Sequence, residues 1–239
     1  MSDSTPQPND SHESPDALAH FDQRSGDWDE LYSRPQFKDR LRLFVKSVAS
    51  HVAPGGRILD YGCGTGKIAV ELAKAGYHVL GIDGAQGMIE EASKTASSLG
   101  LRNIEFAHLA DPEAWEPSDT YDAVVCSSVI EYVSDDRKLA GKLATAVAAG
   151  GWLFISIPSR MSLVGKLEDL VGHIKGRNRD VLFANRRYSR KEFGGLLSTM
   201  QLETRKVISF EFPVLGSIGV LLSRIPFVGV MSLVIARKN

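Results

Sequence analysis

Short apolar runs alternate along this chain with stretches in which apolar residues recur every three or four positions. The runs predict strands, and the periodic stretches predict amphipathic helices. Most of the predicted strands are nearly all apolar, which is typical of parallel strands covered on both faces. The strands are predicted over residues 57–61, 77–83, 104–108, 121–126 and 152–157. The helices are predicted over residues 37–51, 66–74, 86–98, 135–148 and 189–200. Because strand and helix alternate, the pattern favours a doubly wound α/β sheet.

The two flanking parts of the chain depart from this alternation. Residues 1–16 are rich in Ser, Pro, Asp and Asn, and they predict a disordered tail rather than a signal peptide. Residues 17–32 have a roughly helical pattern. Residues 159–187 fit no standard crossover and include one candidate helix at 163–174. Two strand-like stretches follow at 202–212 and 230–237. The residues between them, 213–229, form an unusually apolar tract.

Composition narrows the class of protein. The chain has 239 residues, of which 43% are hydrophobic and 24% charged, as expected for one globular α/β domain with a lid. The 28 basic and 29 acidic residues leave a net charge of −1, so no general basic surface indicates a nucleic-acid partner. Cys63 and Cys126 suggest neither a disulfide framework nor a metal site, which favours a reducing cytosol. Residues 210–236 are interrupted by prolines, glycines and Arg224, so no membrane-spanning helix is predicted there.

Three alternating glycines after the first predicted strand are the strongest functional signal. Gly62, Gly64 and Gly66 allow the backbone to turn sharply and a ligand to approach it without meeting a Cβ. Asp83 comes 17 residues after Gly66, at the end of the second predicted strand. A carboxylate there can accept hydrogen bonds from the hydroxyls of a ribose. A dinucleotide fingerprint would place its last glycine where this chain has Lys67. The sequence therefore predicts a different nucleotide-bearing cofactor on the first two strands.

The run D-x-G-x-G-x-G from Asp60 to Gly66, together with Asp83, resembles motif I of the class I S-adenosylmethionine-dependent methyltransferases. The resemblance extends over residues 40–160 and is to the small-molecule, ubiquinone-biosynthesis type. It implies a mostly parallel, seven-stranded, Rossmann-like sheet with a C-terminal antiparallel hairpin and a helical lid. It also implies S-adenosyl-L-methionine as cofactor, whose carboxylate a helix N-terminus can hold. The implied parts are a single domain at 17–239, cap helices at 17–52, a cofactor-binding core at 57–158, a substrate lid region at 159–200 and the hairpin with its apolar insert at 201–239.

The resemblance also implies roles for individual residues. Asp60 would face the amino group of the cofactor's methionine, and Asp83 would bind the ribose. Met88 would pack on the adenine, and Ser127 would lie under the methionine portion. Asp111 stands near the place of an acid that binds the adenine amino group, one position late relative to the family spacing. From the residues alone, the aspartates can also cap backbone amides and Met88 can also be a core residue. The residues implied to bind the cofactor are Tyr32, Asp60, Gly62, Cys63, Gly64, Gly66, Asp83, Gly84, Met88, Ala110, Asp111 and Ser127.

The chemistry of methyl transfer predicts a sharp cofactor site and a less defined catalytic site. Transfer from a sulfonium is a direct displacement, so the enzyme mainly aligns the reacting atoms and excludes water. A base is needed only if the acceptor must lose a proton. Relatives often have Glu-His where this chain has Glu131 and Tyr132, so that histidine base is missing. The candidate bases are Glu131, Tyr188, His173 and His20, each of which can also be a structural residue.

The region expected to contact the acceptor has a basic bias. Residues 166–192 contain eight basic and four acidic residues, and the apolar tract 213–229 follows in the chain. This combination favours a hydrophobic acceptor with an acidic group, or peripheral contact with the inner face of an anionic membrane. A solvated basic helix and an ordinary covered hairpin would have the same pattern. A small-molecule acceptor, no nucleic-acid partner, no metal and a cytoplasmic location are expected.

Two other classes of function are compatible with the same motifs. A non-catalytic S-adenosylmethionine-binding module is the first, because no catalytic base is assured by the sequence. A nicotinamide-dependent oxidoreductase is the second, and Lys67 in the glycine motif disfavours it.

Overall fold

The computed structural model describes residues 34–160, 188–211, 220–222, 225 and 228–239. Within these residues the helices are α1 (Pro35–Ala49), α2 (Lys67–Lys74), α3 (Gln86–Ser98), α4 (Asp136–Ala146) and α5 (Arg190–Thr199). The strands are β1 (Arg57–Tyr61), β2 (His78–Asp83), β3 (Ile104–His108), β4 (Tyr121–Cys126), β5 (Val147–Pro158), β6 (Leu202–Phe210) and β7 (Met231–Lys238). A turn of 3₁₀-helix, Ile130–Tyr132, follows β4.

The strands form one seven-stranded sheet in the order β3-β2-β1-β4-β5-β7-β6. The first five strands are parallel, whereas β7 runs antiparallel to both β5 and β6. From β1 the strand order runs through β2 to β3 on one side, and from β4 it runs through β5 to β7 and β6 on the other side. Tyr61, at the end of β1, consequently lies opposite both Ile82 and Cys126. Ligands bind in the crevice at such a reversal of strand order. The predicted sheet and its closing antiparallel hairpin are confirmed.

Helices cover both faces of the sheet and bury an apolar cluster on each. On one face, Phe44 and Leu72 of α1 and α2 pack with Phe154 and Phe210 of the sheet. The helix α3 lies beside α2. On the other face, α4 and α5 cover the sheet and contribute Leu143 and Phe193, among others. Burial of the central strands from both sides explains why their sequences lack an apolar-polar alternation.

The structure confirms the predicted start of one helix and corrects the predicted start of one strand. The predicted cap of α5 is confirmed, because the Ser189 side chain accepts from the Glu192 amide while the Glu192 carboxylate accepts from the Ser189 amide. The start of β5 was wrong: β5 begins at Val147 instead of residue 152, because Val147 pairs in parallel with Tyr121. Accordingly α4 ends at Ala146, two residues earlier than predicted.

Several predicted segments lie outside the described residues. These are the tail at 1–16, the helix at 17–32, the candidate helix at 163–174 and most of the apolar tract at 213–229. In the part of the chain that the structure describes, no helix has the length and apolar character needed to cross a bilayer.

Candidate active site

The glycine loop between β1 and α2 is held against the end of β2. The amides of Gly62 and Cys63 both donate to the Ile82 carbonyl, at 2.8 and 3.0 Å. The Gly64 amide donates to Asp83 Oδ2 at 2.8 Å. All three motif glycines are left-handed, with φ of +69° at Gly62, +53° at Gly64 and +73° at Gly66. The sequence motif therefore folds into a tight loop that joins β1, β2 and α2 at the carboxyl edge of the sheet.

The three glycines have different steric surroundings. A Cβ on Gly62 would lie 2.2 Å from Val129 Cγ2, and a Cβ on Gly66 would lie 2.7 Å from Phe106 Cζ. A Cβ on Gly64 would have nothing within 4 Å. Close packing inside the protein thus accounts for glycine at 62 and 66, while Gly64 alone of the three faces open space. A ligand that approaches the loop meets it at Gly64.

Asp60, in β1 just before the glycine loop, has a buried carboxyl group. Its side chain is 1% exposed, and Oδ2 has no hydrogen-bond partner in the described structure. Burial, and then the charge of Asp83, raise the pKa of Asp60 from near 3.8 to about 7. A backbone hydrogen bond from Ala69 lowers that pKa in part, but a buried carboxylate with one oxygen unpaired is still unfavourable in the free protein. The arrangement therefore suits a cationic ligand group that would donate to this oxygen and stabilise its charge.

Two hydroxyl groups near the glycine loop also have no partner. Thr65 Oγ1 and Ser127 Oγ are buried and make no hydrogen bond in the described structure. Ser127 directly follows β4, which pairs with β1 beside Asp60. Thr65 was not among the residues predicted from the sequence, and its position inside the glycine motif is the signal that could have found it. Together with Asp60, these atoms fit the amino and carboxylate groups at the methionine end of S-adenosylmethionine.

Asp83, at the end of β2, combines a loop-holding role with free acceptor capacity. Besides Gly64, the Ala85 amide donates to its carboxylate, at 2.9 Å to Oδ1. Burial raises the pKa of Asp83, and backbone hydrogen bonds partly offset the rise. A carboxylate has about four acceptor positions, so capacity remains for the hydroxyls of a ribose. The geometry fits the predicted ligand role and adds a structural one.

The residues predicted on the adenine side are spread from buried to exposed. Met88, on α3, is 3% exposed, and Cys63 is buried with a thiol pKa raised by that burial. The carbonyl of Gly84 lies 3.0 Å from His108 Nε2. Ala110 is exposed, two residues after the end of β3. Their contact with a cofactor stays a prediction.

Asp111 is an exposed residue that caps a turn. Its Oδ1 accepts from the amides of Glu113 and Ala114, both at 3.0 Å. The adenine-binding role of Asp111 stays a prediction. The turn that it caps belongs to the loop 109–120, which leads from β3 to β4.

Glu131, in the 3₁₀ turn after β4, is a second buried acid. It is 4% exposed, and its Oε2 has no hydrogen-bond partner in the described structure. Burial raises the pKa of Glu131 to about 7, and the charge of Arg40 acts in the opposite direction. Arg40, on α1, forms an ion pair with Glu211 at the end of β6. Glu131 is thus a carboxylic acid with a pKa near neutral pH, and it lies at the carboxyl edge of the sheet.

Of the other candidate bases, Tyr188 is already engaged in contacts with other side chains, and His20 and His173 lie outside the described residues. The Tyr188 hydroxyl donates to Asp136 Oδ2, and the Tyr188 ring packs on Phe193 in the core beside α4 and α5. These contacts support a structural role for Tyr188. The remaining predicted site residues that lie outside the described residues are His20, Tyr32 and His173.

The two segments expected to meet the acceptor start from adjacent points. The Arg160 amide donates to the Tyr188 carbonyl at 3.0 Å, which joins the two ends of residues 161–187. The Val230 amide donates to the Glu211 carbonyl at 3.0 Å, which joins the ends of the tract 212–229. The Ser159 amide donates to the Val230 carbonyl at 2.8 Å. Both segments therefore leave and rejoin the sheet at the carboxyl end of β5.

The sheet order, the glycine loop and the acids ending β1 and β2 define the class of S-adenosylmethionine-dependent methyltransferases with a Rossmann-like fold. The family described as "Methyltransferase domain" matches residues 32–207, more than half of the chain. The chain belongs to this family. The predicted family, fold and cofactor are thereby confirmed.

Curated relatives and solved structures agree with this classification. The chain is 31% identical over 150 residues to the ubiquinone biosynthesis O-methyltransferase of Leptothrix cholodnii, covering 61% of this chain and 64% of the relative. It is 32% identical over 151 residues to the enzyme of that name from Acinetobacter baylyi, covering 61% of this chain and 63% of the relative. The matches thus span less than two thirds of these relatives' own length.

Solved structures with low sequence identity share the fold. One is the magnesium protoporphyrin IX methyltransferase of Synechocystis with bound S-adenosylhomocysteine: the TM-score is 0.71 at 18% identity, covering 93% of this chain and 98% of that one. Another is an S-adenosylmethionine-dependent methyltransferase of Clostridium acetobutylicum, with a TM-score of 0.67 at 15% identity, covering 90% and 98% of the two chains.

Proposed function

We propose that this protein transfers the methyl group of S-adenosylmethionine to a small-molecule acceptor. The observation that carries the proposal is the glycine loop itself: Gly64 faces open space, its amide is held by Asp83, and Asp60, four residues before Gly64, has a buried oxygen without a partner in the described structure. When bound, the cofactor supplies a methyl group activated by its sulfonium. The protein's contribution is to hold that group in line with the acceptor and to exclude water.

Each part of the proposed site suits one part of the cofactor. Asp60 accepts a hydrogen bond from the methionine ammonium, and the hydroxyls of Thr65 and Ser127 bind the polar methionine end. Asp83 accepts from the ribose hydroxyls while it holds the loop through the Gly64 amide. The cofactor has one ammonium, one carboxylate and one sulfonium, so its net positive charge suits a site with one buried acid, Asp60, and one partly buried acid, Asp83.

For the acceptor we propose a hydrophobic molecule with a hydroxyl group, which can also bear an acidic group. The names of the curated relatives support methylation of an oxygen. The basic bias of 166–192 and the apolar tract 213–229 support a large apolar acceptor with negative charge. Leu221 and Ile225, in that tract, are 73% and 50% exposed. These features also support a cytoplasmic protein that contacts an anionic membrane peripherally.

Glu131 is the residue we propose to accept the proton of the acceptor hydroxyl. It follows Ser127 at the carboxyl end of β4, it is buried, and Oε2 has no partner in the described structure. A base is most effective when its pKa lies near the working pH, and the pKa of Glu131 is raised to about 7. Tyr188 is less suited to this role, because its hydroxyl donates to Asp136.

The direct test combines ligand binding with product identification. Calorimetry with S-adenosylhomocysteine and with NAD should show binding of the first ligand only. Incubation of the protein with methyl-labelled S-adenosylmethionine and a lipid-containing cell extract should then yield a labelled small molecule. Binding without any labelled product would support the non-catalytic module instead. Binding of NAD alone would support the oxidoreductase.

A further inference from the structure

Lys142, on α4, is a buried lysine that reaches the loop between β3 and β4. The residue is 8% exposed. Its ammonium donates to the carbonyl of Glu113 at 2.7 Å and to the carbonyl of Trp115. It also forms an ion pair with Glu116 Oε1 at 3.0 Å. A single side chain thus contacts three residues of loop 109–120.

The hydrogen-bonding capacity of Lys142 is fully used by that loop. An ammonium has three donors, and the three contacts account for all of them. Burial of a charged group is costly unless it is paired and hydrogen-bonded. The loop therefore stabilises the buried ammonium, and the ammonium in turn fixes the path of the loop backbone through Glu113 to Glu116.

The same loop begins beside the proposed cofactor site. The Leu109 amide donates to the Asp83 carbonyl at 2.8 Å, next to the ribose-binding carboxylate. Ala110 and Asp111, the predicted adenine contacts, come next, and Asp111 caps the turn that leads to Glu113. The backbone on the adenine side is therefore continuous with the segment that Lys142 holds.

Other polar contacts of the loop lie at the surface: Arg57 forms an ion pair with Asp119 at 2.5 Å, both side chains being about half exposed, and the Ser134 hydroxyl donates to Glu113 Oε1 at 2.6 Å. The Trp115 ring lies 4.8 Å from the Tyr61 ring between centroids, and the Tyr61 hydroxyl is 3.4 Å from the Pro112 carbonyl. Lys142 differs from these surface contacts because it is buried and holds the middle of the loop through two backbone carbonyls and one carboxylate.

We propose that Lys142 is a positioning residue that orders loop 109–120 for binding of the cofactor's adenine. The proposal rests on the function proposed above. In this proposal Lys142 affects cofactor binding through the loop and does not contact the cofactor. When only a fraction of molecules has the binding-competent loop, the apparent dissociation constant rises by the inverse of that fraction. A loop ordered in one tenth of the molecules would weaken binding about tenfold.

The test compares Lys142→Met with Lys138→Met, an exposed lysine on the same helix. Calorimetry should show about tenfold weaker binding of S-adenosylhomocysteine to Lys142→Met, and the same factor for 5′-methylthioadenosine, which lacks the amino-acid end. Lys138→Met should bind as wild type does. Lys142→Arg should recover part of the loss, because guanidinium also donates to several acceptors.

Hydrogen exchange of residues 109–120 separates this role from general destabilisation. In Lys142→Met, exchange should accelerate in this loop and remain unchanged in β1, β4 and the glycine loop. Wild-type affinity in Lys142→Met would overturn the inference while the proposed function stands. Equal acceleration throughout the protein would also overturn it, since the effect would then be global. Wild-type protein that does not bind S-adenosylhomocysteine would refute the proposed function together with this role.

Discussion

Asp60→Asn should stabilise the free protein and weaken cofactor binding. The folded protein raises the pKa of Asp60 to about 7, from near 3.8. An acid with a raised pKa contributes stability that is complete below its unfolded pKa and is lost as the pH rises toward the folded value. Each tenfold change in the ionisation constant of an acid corresponds to about 1.36 kcal/mol. At pH 8 the ionised Asp60 therefore costs up to about 4 kcal/mol.

Asparagine has nearly the same shape and cannot ionise. It leaves a buried amide with one unmade hydrogen bond, which costs about 1–3 kcal/mol. The net gain of Asp60→Asn at pH 8 should be about 1–3 kcal/mol. It should change to a net loss near pH 4, where the wild-type carboxyl is protonated in the folded protein and only the cost of the unmade amide hydrogen bond remains. A chain of this size shifts its melting temperature by about 2–4 °C per kcal/mol.

Cofactor binding should change in the opposite direction. The variant loses a charge-assisted hydrogen bond to the ammonium, worth about 1.5–3 kcal/mol. That loss corresponds to about 10- to 150-fold weaker binding. In the wild type, affinity should itself fall as the pH drops below about 7, because Asp60 must then release a proton on binding.

Thermal melts between pH 4 and pH 8, together with calorimetry of S-adenosylhomocysteine binding, measure both effects. Asp136→Asn is a matched control, because this buried aspartate accepts a hydrogen bond from Tyr188. The control should be destabilised rather than stabilised. If Asp60→Asn melts at or below the wild-type temperature at pH 8, or binds with wild-type affinity, the account of Asp60 as an uncompensated cation-binding acid is wrong.

Four further changes test other parts of the site. Gly64→Val should abolish S-adenosylhomocysteine binding in calorimetry while circular dichroism stays native, because Gly64 faces open space; normal binding would place the cofactor elsewhere. Asp83→Ala should weaken that binding by about 2–4 kcal/mol and also lower the melting temperature, because the amides of the loop lose their acceptor; an unchanged affinity contradicts the ribose role. Glu131→Gln should lower kcat by about 10²–10⁴-fold and remove the rise in rate through pH 7 that the wild type should show; a retained pH profile excludes Glu131 as the base. Leu221→Asp, at a side chain that is 73% exposed, should reduce co-sedimentation with anionic vesicles; wild-type protein that ignores such vesicles removes the membrane proposal.

The pattern of apolar residues predicted most strand positions and the place of the cofactor loop. β3 and β4 were predicted with the bounds that the structure has. Local rules are sufficient there, because each of these strands is a short segment with turn residues at its ends. The capping box of α5 is equally local, since its partners, Ser189 and Glu192, are three residues apart. The spacing of the alternating glycines and Asp83, with the family resemblance, likewise predicted the cofactor loop.

The tertiary structure decided which of these residues have a partner. Val129 explains Gly62, although 67 positions separate the two residues in the chain. The early start of β5 depends on the pairing of Val147 with Tyr121, and no local signal encodes this pairing. The partnerless oxygen of Asp60 and the saturated ammonium of Lys142 likewise depend on burial between distant segments. Burial and charge pairing set the pKa and the strength of each hydrogen bond, so the chemistry of the site follows from the packed fold, whereas its location follows from the sequence.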